Sequence, residues 1–168
     1  MAANISVLSR SIKKLYIYRK SLSMIYTKKL TNVDEILELR HKILRNGFPI
    51  HEVMFDEDNI HTTRHYAFFN ETAKAIACLT LMKADWEDKS IWRLRAMAVE
   101  ENFQGNGLGI ALLEHALNDL ENKNLMDDIW LHARTTSESF YEKFNFQRAS
   151  DIFEFGNAGP SIKMLRKF

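Results

Sequence analysis

A chain of 168 residues, 46% hydrophobic and 27% charged with only two prolines and six glycines, is long enough for one domain with a sizeable core and has no long polar tract of the disordered kind. Its single cysteine, Cys78, excludes an internal disulfide and fits a reducing, cytoplasmic setting; no HExxH, CxxC or calcium-type acidic triplet appears, so no metal is expected. The net charge of +1 hides an asymmetry: residues 1–33 hold seven Lys/Arg and no acid, which leaves 16 basic against 22 acidic residues in the remainder.

Residues 1–23 read as a basic N-terminal extension. Ile5, Leu8, Ile12 and Leu15 recur at spacings of three and four, the pattern of a basic amphipathic helix. The apolar run is too short for a membrane span and lacks a secretory h-region. An ordered extra helix, a targeting or membrane-surface segment and a weakly ordered leader all remain open, with the first and last preferred because neither needs an unseen partner. Beyond Tyr16 and Tyr18 there is no interleaved aromatic platform, so no nucleic acid is expected.

From Met24 the pattern becomes regular, and residues 24–168 read as the domain proper. MIYTKKL is a first strand; Asn32 with Glu35 three residues on opens a helix bearing Val33, Ile36, Leu37, Leu39, Ile43 and Leu44, which Gly47 ends. The loop FPIHEVMFDEDNIHTT is long for a compact domain and reads either as a substrate loop or as a cover for a sheet edge. HYAFF, KAIACLTLMK and SIWRLRAMAV follow as an antiparallel meander. A helix from about Gly107 to Asn122, the strand IWLHA, the short helix SESFYEKF and two closing strands, NFQRASDIFEF and SIKMLRKF, complete the chain. This order predicts an α+β sandwich, a mostly antiparallel mixed sheet flanked by helices.

The stretch ENFQGNGLGIALLEHAL places three of the six glycines where a strand turns into a helix. Unpaired N–H groups of a first helical turn, together with the helix dipole, make an anion site, and phosphate is its natural ligand. A nucleoside-triphosphate loop needs Gly-Lys-Ser/Thr, and here Leu108 and Gly109 follow with no lysine or hydroxyl. The dinucleotide fingerprint needs a longer last interval than Gly105, Gly107 and Gly109 provide, and a parallel βαβ unit around it.

The hexapeptide Gln104, Gly105, Asn106, Gly107, Leu108, Gly109 resembles the Gln/Arg-x-x-Gly-x-Gly/Ala signature of the GNAT N-acetyltransferase superfamily. LRAMAV before it is similar to that family's acetyl-CoA strand, and SFYEKFNF to its closing Phe-Tyr-x-x-x-Gly-Phe signature, with Asn145 in place of the usual glycine. Asparagine is the next best residue for a left-handed turn, so the geometry survives. The resemblance covers residues 24–168 and implies a three-layer GNAT sandwich, acetyl-CoA as co-substrate and an N-acetyltransferase acting on a small-molecule or peptide amine. A non-catalytic acyl-CoA-binding module is the alternative reading, and a homodimer stays open.

The same resemblance implies site residues. The loop from Gln104 to Gly109 would hold the pyrophosphate, the backbone of Met97, Ala98 and Val99 would pair with pantetheine, and Tyr141 would donate to the departing thiolate. No protein nucleophile is needed against a thioester. An ammonium must lose a proton, and Glu52, His65, Glu100 and His132 are the candidate bases, Glu100 and His132 foremost. The acidic run Asp56, Glu57, Asp58 reads either as a lure for a cationic amine or as a solvated charge run.

Overall fold

In the computed structural model, which describes residues 26–168, the alternating segments become one mixed sheet with helices on both faces. The extension read in residues 1–23 lies outside the described residues. In chain order the elements are β1 (Thr27–Thr31), α1 (Asp34–Leu44), β2 (Arg64–Phe69), β3 (Ala75–Trp86), β4 (Lys89–Val99), α2 (Leu108–Asn122), β5 (Ile129–Arg134), α3 (Glu138–Glu142), β6 (Gln147–Arg148), β7 (Phe153–Glu154) and β8 (Pro160–Arg166). Strands β1 to β4 form the antiparallel meander, β5 joins β4 in parallel, and β8 pairs antiparallel with β5 on one edge and with β6 and β7 on the other. The fold is thus the α+β sandwich that the element order implied.

One closing strand differs from expectation. The segment NFQRASDIFEF gives two short strands because Ser150 leaves the ladder: its hydroxyl, in place of a carbonyl, accepts the Lys163 N–H at 2.8 Å, while Ala149 N–H donates to the Lys163 carbonyl at 2.9 Å. The backbone is satisfied through a side chain, so the chain turns without leaving an orphaned donor.

The side-chain period assigns the two faces. Ile36 and Leu39 of α1 bury against Ala67, Phe69, Cys78 and Ala98 on one face. Leu112, Leu113, Ala116 and Leu120 of α2 bury against Leu79, Leu81, Leu94 and Leu131 on the other. Each such leucine removed from water contributes roughly 1.5–3 kcal/mol, so the α2 face anchors that layer. Asn32 starts α1 by accepting the Glu35 N–H at 3.2 Å, and the chain reverses after the helix at Gly47, where φ is +84°.

The long loop of residues 45–63 is held on the α1 face by a buried polar network. Arg40 is fully buried, and its Nη1 donates to both carboxylate oxygens of Asp58, at 3.0 and 2.9 Å, and to the Val53 carbonyl at 3.2 Å. Its Nη2 donates to Thr80 Oγ1 and lies 3.2 Å from His65 Nδ1. His65 Nε2 faces the Asp58 carbonyl at 2.9 Å and so carries the proton, leaving Nδ1 to accept. Burial lowers the His65 pKa, in keeping with a neutral ring. Asp58 and His65 are therefore spent on holding the loop: the first is no lure for an amine, and the second does not reach the cleft described next.

Candidate active site

Strands β4 and β5 pair over only three residues, Trp92 with Ile129, Arg93 with Trp130 and Leu94 with Leu131, and then diverge. The cause is local. Cys78 pairs with Ala98 but Thr80 pairs with Arg95, so β4 carries one residue more than β3 across this stretch. That extra residue is a β-bulge, marked by Ala96 at φ +50°, a left-handed conformation unusual for alanine. The thiol of fully buried Cys78 donates to the Ala96 carbonyl at 3.8 Å, and burial pushes its pKa up to about 12, so it stays a thiol. The splayed strands open a cleft of about 620 Å³, closed by residues 43–55 on one side and 155–161 on the other.

One edge of the β4 end is paired and the other is open. Ala98 and Val99 match Cys78 and Ala77 of β3, whereas toward β5 no strand among the described residues pairs with Met97, Ala98 or Val99. An extended chain laid in the cleft would meet the open edge of this strand there, the geometry of strand addition. At the end of the strand the backbone passes through Gly105 (φ +71°) and Gly107 (φ +80°) into α2, whose N-terminus has no side-chain cap and no acid in its first turn. A Cβ on Gly105 would meet nothing within 4 Å, so that position is glycine for its backbone angle and not for want of space. Gly109 differs: its Cβ would lie 3.4 Å from Met97 Cε, which makes it the packing position between α2 and β4.

The polar side chains of this loop fold back onto nearby backbone carbonyls. Gln104 Nε2 donates to the Val99 carbonyl at 2.9 Å, and Asn106 Nδ2 to the Gln104 carbonyl at 3.2 Å; Leu108 is buried in the core. The loop therefore offers an anion its peptide N–H groups and the N-terminal end of a 15-residue helix, a donor set that fits a pyrophosphate.

Tyr141 enters the cleft from α3. Asn145 takes φ +63° just beyond that helix, and Phe146 N–H returns to the Tyr141 carbonyl at 3.3 Å, so asparagine makes the left-handed cap in place of glycine. The phenol donates to Met97 Sδ at 3.8 Å, and burial pushes its pKa up to about 12. It is a neutral donor beside the end of β4 that is open toward β5.

The candidate bases separate. Glu100 lies outside the cleft lining, its carboxylate 2.7 Å from Lys42 Nζ and also accepting the Glu101 N–H at 3.2 Å. His132 lines the cleft, with Phe155 at 4.5 Å, Phe153 at 5.2 Å and Trp130 at 5.3 Å between ring centroids, and neither buried ring nitrogen has a partner among the described residues. Burial, with help from Arg93, Lys163 and Arg95, pushes its pKa down to about 4. Glu52 is the one carboxylate among the described residues lining the cleft.

Three features went unread in the sequence: the bulge at Ala96, the aromatic wall of Phe55 and Phe155, and a pair of arginines. Trp92 and Leu94 bury toward α2, so Arg93 and Arg95 point to the opposite face, where Arg93 lies 4.3 Å above the Trp130 ring and Arg95 3.5 Å above that of Phe55. Charges at alternate positions of an apolar strand were the available signal. Among the described residues no group of three or more His, Cys, Asp or Glu is placed to hold a metal.

Comparison with known proteins agrees with this geometry. The chain is 26% identical over 140 residues to the N-acetyltransferase YitI of Bacillus subtilis (strain 168), itself uncharacterized, covering 82% of this chain and 93% of that protein. Its fold matches Escherichia coli ElaA with a TM-score of 0.71 at 20% identity, over 86% of this chain and 99% of that one. It also matches an acyl-CoA N-acyltransferase from Pseudomonas aeruginosa with a TM-score of 0.67 at 20% identity, over 85% of this chain and 99% of that one. A profile of the acetyltransferase (GNAT) domain matches residues 62–148, more than half of the chain, and the chain belongs to that family.

Proposed function

We propose that the chain is an acetyl-CoA-dependent N-acetyltransferase that delivers the acetyl group directly to a primary amine. The observation that carries this reading is the continuity of the cleft: a strand end at residues 97–99, open on its edge toward β5, leads into an uncapped, glycine-led helix N-terminus, and a buried neutral phenol faces the same strand end.

Acetyl-CoA supplies an acyl group already activated as a thioester. Within the loop from Gln104 to Gly109, the peptide N–H groups beyond that of Gln104, which donates to the Glu101 carbonyl, hold its pyrophosphate, and the open edge of Met97, Ala98 and Val99 pairs with the pantetheine arm. An N–H of that edge donates to the carbonyl oxygen as it gains charge. Glu52, directly or through one water, takes a proton from the substrate ammonium. The amine nitrogen then bonds to the acyl carbon, the carbon–sulfur bond breaks, the nitrogen gives up its second proton, and Tyr141 hydrogen-bonds the thiolate. The thiolate takes up one of the two protons and the other goes to solvent, so charge and atoms balance. His132, with its pKa near 4, is a weak proton acceptor and serves better as a neutral wall of the cleft.

Acetyl-CoA at about 100 times its dissociation constant stabilises the folded protein by about 2.7 kcal/mol. The test couples that melting shift to CoA release with a panel of primary amines. Stabilisation with amine-dependent release is the expected result. Stabilisation with no release from any amine would favour an acyl-CoA-binding module, and no stabilisation would sink both readings.

A further inference from the structure

The cleft lining is markedly positive. Among the described residues four arginines line it, Arg45, Arg93, Arg95 and Arg134, against one carboxylate, Glu52. None of the four forms an ion pair among the described residues, in a structure where Arg40, Arg64 and Arg148 all do. Arg93 and Arg95 are partly buried, held by the faces of Trp130 and Phe55, and Arg93 Nε is buried with no partner among the described residues. Nearby His132 likewise has two buried ring nitrogens without a partner among the described residues.

Two half-desolvated guanidinium groups in one wall are costly unless an anion joins them. Burial already lowers the pKa of Arg93 to about 10, with the charge of Arg95 adding to the effect; only Glu57 opposes it, from beyond ion-pair distance. A polyamine placed here would set cation against cations. An acceptor with an ammonium for Glu52 and an oxyanion for the arginines would satisfy both.

We infer that the acceptor is a small zwitterionic amine, one whose carboxylate or phosphate group is held by Arg93 and Arg95 while its amine faces the thioester. The inference rests on the transfer reaction proposed above and narrows its substrate. Guanidinium groups suit either oxyanion, because their planar donors match both geometries. The cleft volume, shared with the pantetheine arm, suits a molecule of amino-acid size.

The test is calorimetric titration of the full chain saturated with CoA, using glutamate, phosphoethanolamine, ethanolamine and putrescine, alongside CoA release from acetyl-CoA with the same four amines. Glutamate or phosphoethanolamine should bind at least tenfold tighter than ethanolamine or putrescine, and the better of the two identifies the oxyanion. Arg93→Gln and Arg95→Gln, each checked for an unchanged melting temperature, should weaken that binding at least tenfold and leave putrescine no weaker. Equal or better binding of ethanolamine or putrescine, binding of none of the four, or folded variants that bind the anionic amine like the parent would overturn the inference. The ligand ranking on the unmodified protein decides the matter even if neither variant folds. Acetylation of putrescine in preference to glutamate would defeat the inference and leave the transfer reaction standing. Arginine-dependent glutamate binding without acetyl transfer would do the reverse.

Discussion

Replacing Tyr141 with phenylalanine removes one hydroxyl from the cleft and keeps the ring that packs beside Phe140 and Phe146. That hydroxyl touches Met97 Sδ at 3.8 Å, a weak bond, so its loss should cost less than about 1 kcal/mol of stability. Its catalytic worth follows from acidity. With the phenol pushed up to about 12 and a thiol near 8.5, full proton transfer from tyrosine to thiolate is uphill by about 3.5 units, roughly 5 kcal/mol. A hydrogen bond to a charged group, by contrast, contributes about 1.5–3 kcal/mol, which corresponds to a fall in kcat of roughly tenfold to 150-fold. The expected result for Tyr141→Phe is a fall in kcat within that range, with CoA affinity and melting temperature little changed, measured by steady-state CoA release, calorimetry and thermal unfolding. The sign of the pH effect is also fixed: the neutral phenol persists below a pKa of about 12, so the parent should show no alkaline loss of kcat near pH 10 that the variant lacks. An unchanged kcat, or such a limb, would refute the reasoning.

Glu52→Gln should lower kcat at least tenfold, since Glu52 is the carboxylate in the cleft lining, while Glu100→Gln should stay within twofold, since Glu100 pairs with Lys42; the reverse order in steady-state kinetics would reassign the base. Asp58→Ala leaves fully buried Arg40 without its carboxylate and should cost about 3–5 kcal/mol in urea unfolding; a loss under 1 kcal/mol would show that the loop is held by other contacts. His132 has its folded pKa depressed to about 4, below an unfolded value near 6.5, so the unfolded state binds its proton first. The stability it protects is complete above about pH 6.5 and is lost as pH falls toward 4; the urea midpoint of His132→Gln should drop less than the parent's over that range, and equal slopes would contradict the assignment.

The parts of this architecture that were legible are those fixed by local pattern. Alternation in HYAFF, KAIACLTLMK and SIWRLRAMAV identified the meander, helical spacing after Gly107 identified α2, and Asn145 was recognisable as a residue that tolerates a left-handed turn. The rest depends on partners distant in the chain. The bulge at Ala96 exists because β4 runs one residue ahead of β3, and nothing within RAMAV itself distinguishes that alanine. The acidic run at residues 56–58 read as either a lure for an amine or a solvated charge run, and only Arg40, 18 residues before Asp58, shows why Asp58 lies inside. Glu100 and His132 were distinguished only when one met Lys42 and the other a ring of aromatics. Arg93 and Arg95 were open to inference from their period alone, because a strand with Trp92 and Leu94 in the core must aim its alternate charges at something else.

The roles assigned to residues 97–99 and 104–109 belong to the backbone, so side-chain replacement tests them poorly and amide hydrogen exchange tests them directly. On addition of acetyl-CoA, exchange should slow in peptides covering residues 95–110 and 132–141, the two walls of the cleft, with little change in α1. Protection confined to other elements, or none under conditions where acetyl-CoA raises the melting temperature, would contradict the claim that the splayed β4 and β5 strands hold the acetyl donor.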